Sequence, residues 1–247
     1  MRFTSQTSSD GVTEQLFTSS FTFGEIPGVL WTPDGTAGTR PLILMGHGGG
    51  QHKKAPGIVA RARRSVVECG FAVAAVDAPA HGDRPRTEEH DRLIGEMRNR
   101  MRTGGDAAPV LAEFHTLLAG QSVPEWQAVV DAVQKLDHVG AGPVGYWGMS
   151  LGCELGVPFI AAEPRVHAAV LGLNGAETSP EAAAQITVPL EFLVQWDDER
   201  VPRAASLALF DTFASAEKTL HANPGGHAEV PMFELDSSLR FFTRHLS

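Results

Sequence analysis

Residues 144–152 read Val144-Gly145-Tyr146-Trp147-Gly148-Met149-Ser150-Leu151-Gly152, and Cys153-Glu154-Leu155-Gly156-Val157 follow. An apolar run of strand length passes directly into a segment of helical character, so a strand is expected to turn into a helix with Ser150 at the bend. The last five residues of the quoted stretch have the pattern G-x-S-x-G. A turn this tight crowds the neighbouring backbone, holds the serine in a strained conformation and lifts its hydroxyl above the sheet edge, where it can act as a nucleophile. In a chain with 26 glycines the pentapeptide alone is a weak signal, and its surroundings must carry the argument.

Upstream, Pro41-Leu42-Ile43-Leu44-Met45 is a continuous apolar run, as expected of a strand covered on both faces, and it ends at Gly46-His47-Gly48-Gly49-Gly50. A helix over 55–69 places Ile58, Ala62 and Val66 on one face and stops at Gly70, before a strand over 71–76. Segments 15–23 and 28–32 read as an antiparallel entry ribbon behind a polar lead-in over 1–13, with Pro33-Asp34-Gly35 as turn chemistry. By this reading 41–45 is the third strand and 71–76 the fourth.

After the loop Asp77-Ala78-Pro79-Ala80-His81-Gly82-Asp83-Arg84 the alternation of strand and helix is interrupted by a helical insertion over 84–121. A helix over 87–102 carries Leu93, Ile94, Met97 and Met101, Gly104-Gly105 breaks it, and Asp106 can cap a second helix through Leu118. Ser122-Val123-Pro124-Glu125 matches a capping box, so a third helix is expected from Ser122, with Trp126, Val129, Val130, Val133 and Leu136 facing the sheet. With Gly104-Gly105 and Gly120 as joints, the insertion is either a partial lid presenting Leu93, Ile94, Met97 and Met101, or a structural buttress.

Beyond Ser150, strands over 166–173, 190–194 and 218–221 alternate with helices over 202–213 and 231–245, the last with Leu235, Leu239 and Phe242 on its inner face. The expected fold class is α/β, one domain over 1–247 with a mostly parallel central sheet and helices on both faces. Ligands of such sheets bind at the carboxyl ends of the strands, where Ser150 and Gly48 to Gly50 both fall.

A serine hydroxyl needs a base to take its proton and an acid to orient that base. Gln195-Trp196-Asp197-Asp198-Glu199-Arg200-Val201-Pro202 brings two candidate carboxylates after a strand, and Asn223-Pro224-Gly225-Gly226-His227 brings a histidine after the last strand. His221 ends a strand and His245 ends the terminal helix, where a cation suits the dipole, which leaves His227 as the candidate base. The order is Ser, acid, His. An oxyanion formed at Ser150 would be met by the backbone N–H groups of Leu151 and Gly49, with Gly50 as the alternative to Gly49.

Together, His47-Gly48-Gly49-Gly50, the loop over 77–84, Gly148 to Gly152, Asp198-Glu199-Arg200-Val201-Pro202 and Gly226-His227 resemble the α/β-hydrolases of the dienelactone-hydrolase-like group, over essentially the whole chain from about Gln15. The resemblance implies an α/β-hydrolase fold and hydrolysis of an ester or lactone through an acyl-enzyme on Ser150, without metal or organic cofactor. It selects Asp198 over Asp197 as the acid, because Val201 and Pro202 follow Asp198 at the family's spacing. Two departures stand out: dienelactone hydrolases proper carry cysteine where this chain has Ser150, and the glycine often found three residues before the acid is Gln195 here.

Composition narrows the remaining classes. With 29 acidic against 20 basic residues and a net charge of −9, a nucleic-acid-binding surface is not expected. Residues 1–13 lack an apolar leader core and no run approaches a membrane span, so a cytoplasmic protein without membrane attachment is expected. Cys69 and Cys153 do not form a disulfide framework and are both expected as buried thiols. His81 and Asp83 lack metal-ligand spacing and are expected to brace their loop. The expected function is a serine hydrolase acting on a small carboxylic ester, lactone or thioester. A serine peptidase or acyltransferase on the same scaffold, and an inactive binding protein of this fold, are the alternatives.

Overall fold

The computed structural model describes residues 1–22, 24–35, 38–175 and 179–247. In chain order the elements are β1 (Arg2–Ser9), β2 (Val12–Phe21), β3 (Gly24–Pro33), β4 (Leu42–Gly46), α1 (Pro56–Cys69), β5 (Ala72–Val76), α2 (Glu88–Thr103) and α3 (Ala108–Val133). There follow β6 (Val144–Met149), α4 (Leu151–Ala162), β7 (Val166–Gly172), α5 (Pro180–Ala183), β8 (Leu190–Gln195), α6 (Arg203–Thr212), β9 (Lys218–Asn223) and α7 (Phe233–Leu246). The nine described strands form one sheet in the order β1-β2-β3-β5-β4-β6-β7-β8-β9. From β5 to β9 every neighbouring pair is parallel, and β1 to β3 add an antiparallel ribbon on the β5 edge.

The expected α/β class with helices on both faces is what the chain adopts. On one face α1 buries Ile58, Ala62 and Val66 beside Phe242 and Leu246 of α7. On the other, Trp126, Val129, Val130 and Val133 of α3 pack with Cys153, Val157 and Phe159 of α4 and Leu209 of α6. A third cluster joins Leu93 of α2, Val110, Phe114 and Leu118 of α3, and Leu151 and Leu155 of α4 above the strand ends.

Four expectations need correction. The lead-in over 1–13 contains strand β1, so the strand over 71–76 is β5 and the insertion follows the fifth strand; Phe23, placed from sequence at the end of the first strand of the entry ribbon, lies outside the described residues. β1 is exposed along nearly its whole length, so no apolar alternation marks it. Its signal is Asp10-Gly11, with φ of 52° and 77°, the paired positive φ values of a two-residue hairpin turn. Second, α3 runs unbroken from Ala108 to Val133 through Pro124, where two helices separated near Ser122 were expected. Val110, Phe114, Leu118 and Ser122 are buried at steps of four and continue into Trp126, Val130 and Val133, so one stripe holds both halves and outweighs the proline's missing N–H. Gly120 is therefore inside a helix and is no joint, and Glu125, instead of capping, forms a buried ion pair with Arg84 at 2.7 Å. Third, Met101 is 68% exposed and does not join Leu93, Ile94 and Met97. Fourth, Cys69 is only half-buried, while Cys153 is buried and its thiol is pushed up to about 12 by desolvation.

β5 and β4 run outward in one direction across the sheet while β6 to β9 run in the other, so the chain reverses direction between β4 and β6. Gly46 pairs with Gly148 across that boundary. The turn after β4 and the turn after β6 therefore open side by side, and that adjacency positions the site.

Candidate active site

Ser150 stands between β6 and α4 with φ 56° and ψ −120°. A side chain in this region costs on the order of 1–3 kcal/mol and persists only where surrounding contacts enforce it. They do so here: Ser150 N–H donates to Gly172 O at 3.0 Å, and Ser150 O accepts from Glu154 N–H at 2.9 Å. The flanking glycines are required by close approach of backbone to backbone. A Cβ at Gly148 would lie 2.4 Å from Gly152 O, and one at Gly152 would lie 2.4 Å from Gly46 O.

His227 Nε2 lies 3.0 Å from Ser150 Oγ, and His227 Nδ1 lies 2.8 Å from Asp198 Oδ2. The carboxylate can only accept, so Nδ1 carries the proton and Nε2 is free to accept from the serine hydroxyl. Asp198 is fixed in turn, its Oδ1 accepting from the N–H groups of Arg200 at 2.8 Å and Val201 at 3.0 Å. Asp197 points elsewhere: it is exposed, and its Oδ2 accepts from Gly225 N–H at 3.3 Å.

Three residues that sequence reasoning gave no function hold the histidine loop. Gln195 is 1% exposed, and its amide nitrogen donates to Pro224 O at 3.3 Å and Gly226 O at 3.2 Å. The glutamine that departs from the glycine of the resemblance thus ties the end of β8 to the loop. Glu199 Oε2 accepts from His227 N–H at 2.9 Å, a bond that holds its carboxyl below the usual range. Glu229 Oε2 accepts from Gly226 N–H at 2.7 Å. A polar Gln195 closing β8, whose other polar residue is Glu191, was the one available signal.

Leu151 opens α4, so its N–H belongs to the first helical turn, which the helix's own ladder leaves unused. A Cβ built on Gly49 would lie 3.9 Å from Leu151 Cβ, and Gly49, Ser150, Leu151 and His227 line one cavity of about 330 Å³. Gly50, at φ 72°, makes the turn behind Gly49. His47 braces this turn: Nδ1 donates to Gly48 O at 2.9 Å and Nε2 accepts from Ala78 N–H at 3.0 Å. Burial drives its pKa down to about 4, which agrees with a neutral ring in that tautomer. Asp83 is paired with Lys53 at 2.7 Å, and Lys53 also reaches the buried Asp77 at 2.7 Å. His81 Nδ1 lies 2.9 Å from Pro79 O, and the ring lines the cavity.

The roof of the cavity comes from the insertion, with Met97 of α2 and Leu111 and Phe114 of α3. Among the described residues, Glu191, His221 and Glu234 have ligand-type atoms within 4.8 Å of one another and could hold a metal ion. His221 Nδ1 is 2.7 Å from Glu234 Oε2, and Glu234 Oε1 accepts from Asn223 at 2.8 Å. These contacts join β9 to the start of α7, the two ends of the loop that carries His227. No described helix is long and apolar enough to cross a membrane.

No family model and no curated protein matches the chain. Among solved structures it is similar to a cold-adapted esterase from an Arctic intertidal metagenomic library, at 31% identity over the full length of both chains and a TM-score of 0.82. Acetyl xylan esterase 1 from Thermoanaerobacterium sp. JW/SL YS485 is 17% identical over 100% of this chain and 88% of its own, with a TM-score of 0.73. The acetyl xylan esterase from Paenibacillus sp. R4 is 14% identical over 99% and 88%, also with a TM-score of 0.73. At these lower identities the likeness is one of fold.

Proposed function

The chain belongs to the α/β-hydrolase superfamily, and from that premise we propose that it is a serine hydrolase that cleaves a carboxylic ester, lactone or thioester through an acyl-enzyme on Ser150. The observation that carries this reading is the continuous line of contacts from Ser150 Oγ to His227 Nε2 at 3.0 Å and from His227 Nδ1 to Asp198 Oδ2 at 2.8 Å. Ser150 Oγ attacks the carbonyl carbon while its proton passes to His227 Nε2, and Asp198 stabilises the imidazolium without taking the proton. The N–H groups of Leu151 and Gly49 receive the oxyanion. Collapse of the intermediate expels the alcohol or thiol, which takes the proton from His227. A water activated by the same nitrogen then releases the acid and restores the serine.

The likeness to the cold-adapted esterase supports the ester-cleaving part of this proposal. The narrower resemblance to the dienelactone-hydrolase-like group rests on His47-Gly48-Gly49-Gly50, the loop over 77–84, Gly148 to Gly152, the loop over 198–202 and Gly226-His227, and it enters the proposal on that basis. Met97, Leu111 and Phe114 over Ser150 support the further reading that the insertion over 84–121 shapes an acyl pocket. A panel of p-nitrophenyl esters and lactones of graded acyl length, run on wild type and Ser150→Ala, tests the function. Serine-dependent turnover supports it, and turnover indifferent to Ser150 contradicts it.

A further inference from the structure

Glu154 lies one helical turn beyond Ser150, its N–H bonded to Ser150 O at 2.9 Å, so its side chain rises on the same side of α4 as the nucleophile. It is 5% exposed, yet it lines both the cavity over Ser150 and an adjoining one of about 160 Å³. The two cavities share Leu111, His115, Glu154, Asn174, Arg200 and Val201 and form one cleft with a carboxylate at its floor. Asn174 fixes that carboxylate: its Oδ1 accepts from Gly175 N–H at 2.9 Å, which turns its amide nitrogen onto Glu154 Oε2 at 2.7 Å.

Glu154 Oε1 faces His115 Nδ1 at 3.7 Å, beyond hydrogen-bonding distance. Burial holds His115 below its ordinary range, so a neutral ring rather than a cation stands opposite the carboxylate at neutral pH. An apolar substrate group laid over Oε1 would strip water from a carboxylate and give it nothing in return, whereas a hydroxyl would donate to it at little desolvation cost. Arg200 also lines this cleft, and its positive charge disfavours an ammonium there.

We propose that Glu154, oriented by Asn174 and facing His115, is a specificity residue that recognises a hydroxyl on the substrate, so that the enzyme prefers esters bearing a hydroxyl near the reacting carbonyl. The inference rests on the serine hydrolase reading above and narrows its substrate class. One helical turn, about 5 Å, separates the two positions along α4, so hydroxyls two or three atoms from the carbonyl carbon are the ones to test. Such a hydroxyl can belong to the acyl part or to the alcohol part of the ester.

The test compares kcat/KM within two matched pairs. p-Nitrophenyl 3-hydroxybutyrate against p-nitrophenyl butyrate probes the acyl side, and glycerol monoacetate against propyl acetate probes the alcohol side. In one pair the wild type should favour the hydroxylated ester by about tenfold or more, as expected for a hydrogen bond to a buried charged acceptor. Glu154→Gln and Asn174→Ala should each bring that ratio towards one, the first by removing the charge and the second by freeing the carboxylate to turn away, and Asn174→Ala decides the matter if the Glu154 variant does not fold. Ratios near one in both pairs, or a ratio that survives both substitutions, with Ser150-dependent turnover of the plain esters intact, would overturn this inference alone. Absence of Ser150-dependent turnover on every ester would overturn the hydrolase reading and this inference with it.

Discussion

Asp197 and Asp198 are adjacent carboxylates in opposite surroundings. Asp198 spends one oxygen on His227 and the other on the N–H groups of Arg200 and Val201, whereas Asp197 is exposed and bonded to Gly225 N–H. Asp198→Asn should lower kcat on p-nitrophenyl acetate by about 10³ to 10⁴, because the amide favours the wrong imidazole tautomer. Asp197→Asn should stay within a few-fold of wild type, and the reverse ranking would make Asp197 the orienting acid. The D-x-x-V-P spacing that singles out Asp198 has a physical basis here: the valine three residues on supplies an N–H to the carboxylate, and Pro202 then precedes α6. Gln195, Glu199 and Lys53 were not legible in the same way. Their partners lie 24 to 31 residues away in the chain, and no local pattern records which loop carbonyl or carboxylate a polar side chain will meet.

Elements with an apolar face could be read from sequence, and those without one could not. α1 and α7 follow their apolar spacing, with Ile58, Ala62 and Val66, and Leu235, Leu239 and Phe242, buried as expected. β1 escaped because an edge strand exposed on both faces carries no alternation. α3 was divided because a local capping pattern and a proline were given more weight than a stripe running through both. That continuity can be tested at Gly120, where an added Cβ would meet nothing within 4 Å. Gly120→Ala should raise stability by about 1 kcal/mol in urea unfolding, as for any exposed helix-interior glycine; a loss of stability would contradict a helical position. Continuity also bears on the roof, since α3 carries Leu111 and Phe114 over Ser150 and Trp126 into the core. Met97→Gln should raise KM for longer acyl esters more than for acetyl esters, while the exposed Met101→Gln should not. An unchanged ratio of kcat/KM between acyl lengths in Met97→Gln, with lowered stability, would make the insertion a buttress.

At the scale of the whole molecule, the alternation of strands and helices carried the sheet architecture, and the reversal between β4 and β6 brings the turn of Gly49 beside that of Ser150. The same burial makes stability depend on pH. His47, His90, His115 and His138 are all held below their usual range, in each case chiefly by desolvation. The unfolded chain protonates these rings near pH 6.5 while the folded protein keeps His47 neutral to about 4, so the unfolded state binds more protons in between and stability falls as pH falls through that window. Between pH 6.5 and 5 His47 alone accounts for about 2 kcal/mol. Glu191, raised chiefly by burial, acts in the opposite sense, so the comparison is made against His47→Gln, whose urea-unfolding free energy should change less between pH 7 and 5; equal slopes would contradict the assignment. One serine at the carboxyl edge of this sheet, Ser150, is the proposed nucleophile for ester cleavage. Purified, folded Ser150→Ala should turn over a p-nitrophenyl ester with kcat lowered on the order of 10⁶, and retention of more than about a tenth of wild-type turnover, far outside what loss of a nucleophile permits, would contradict a serine nucleophile at this position.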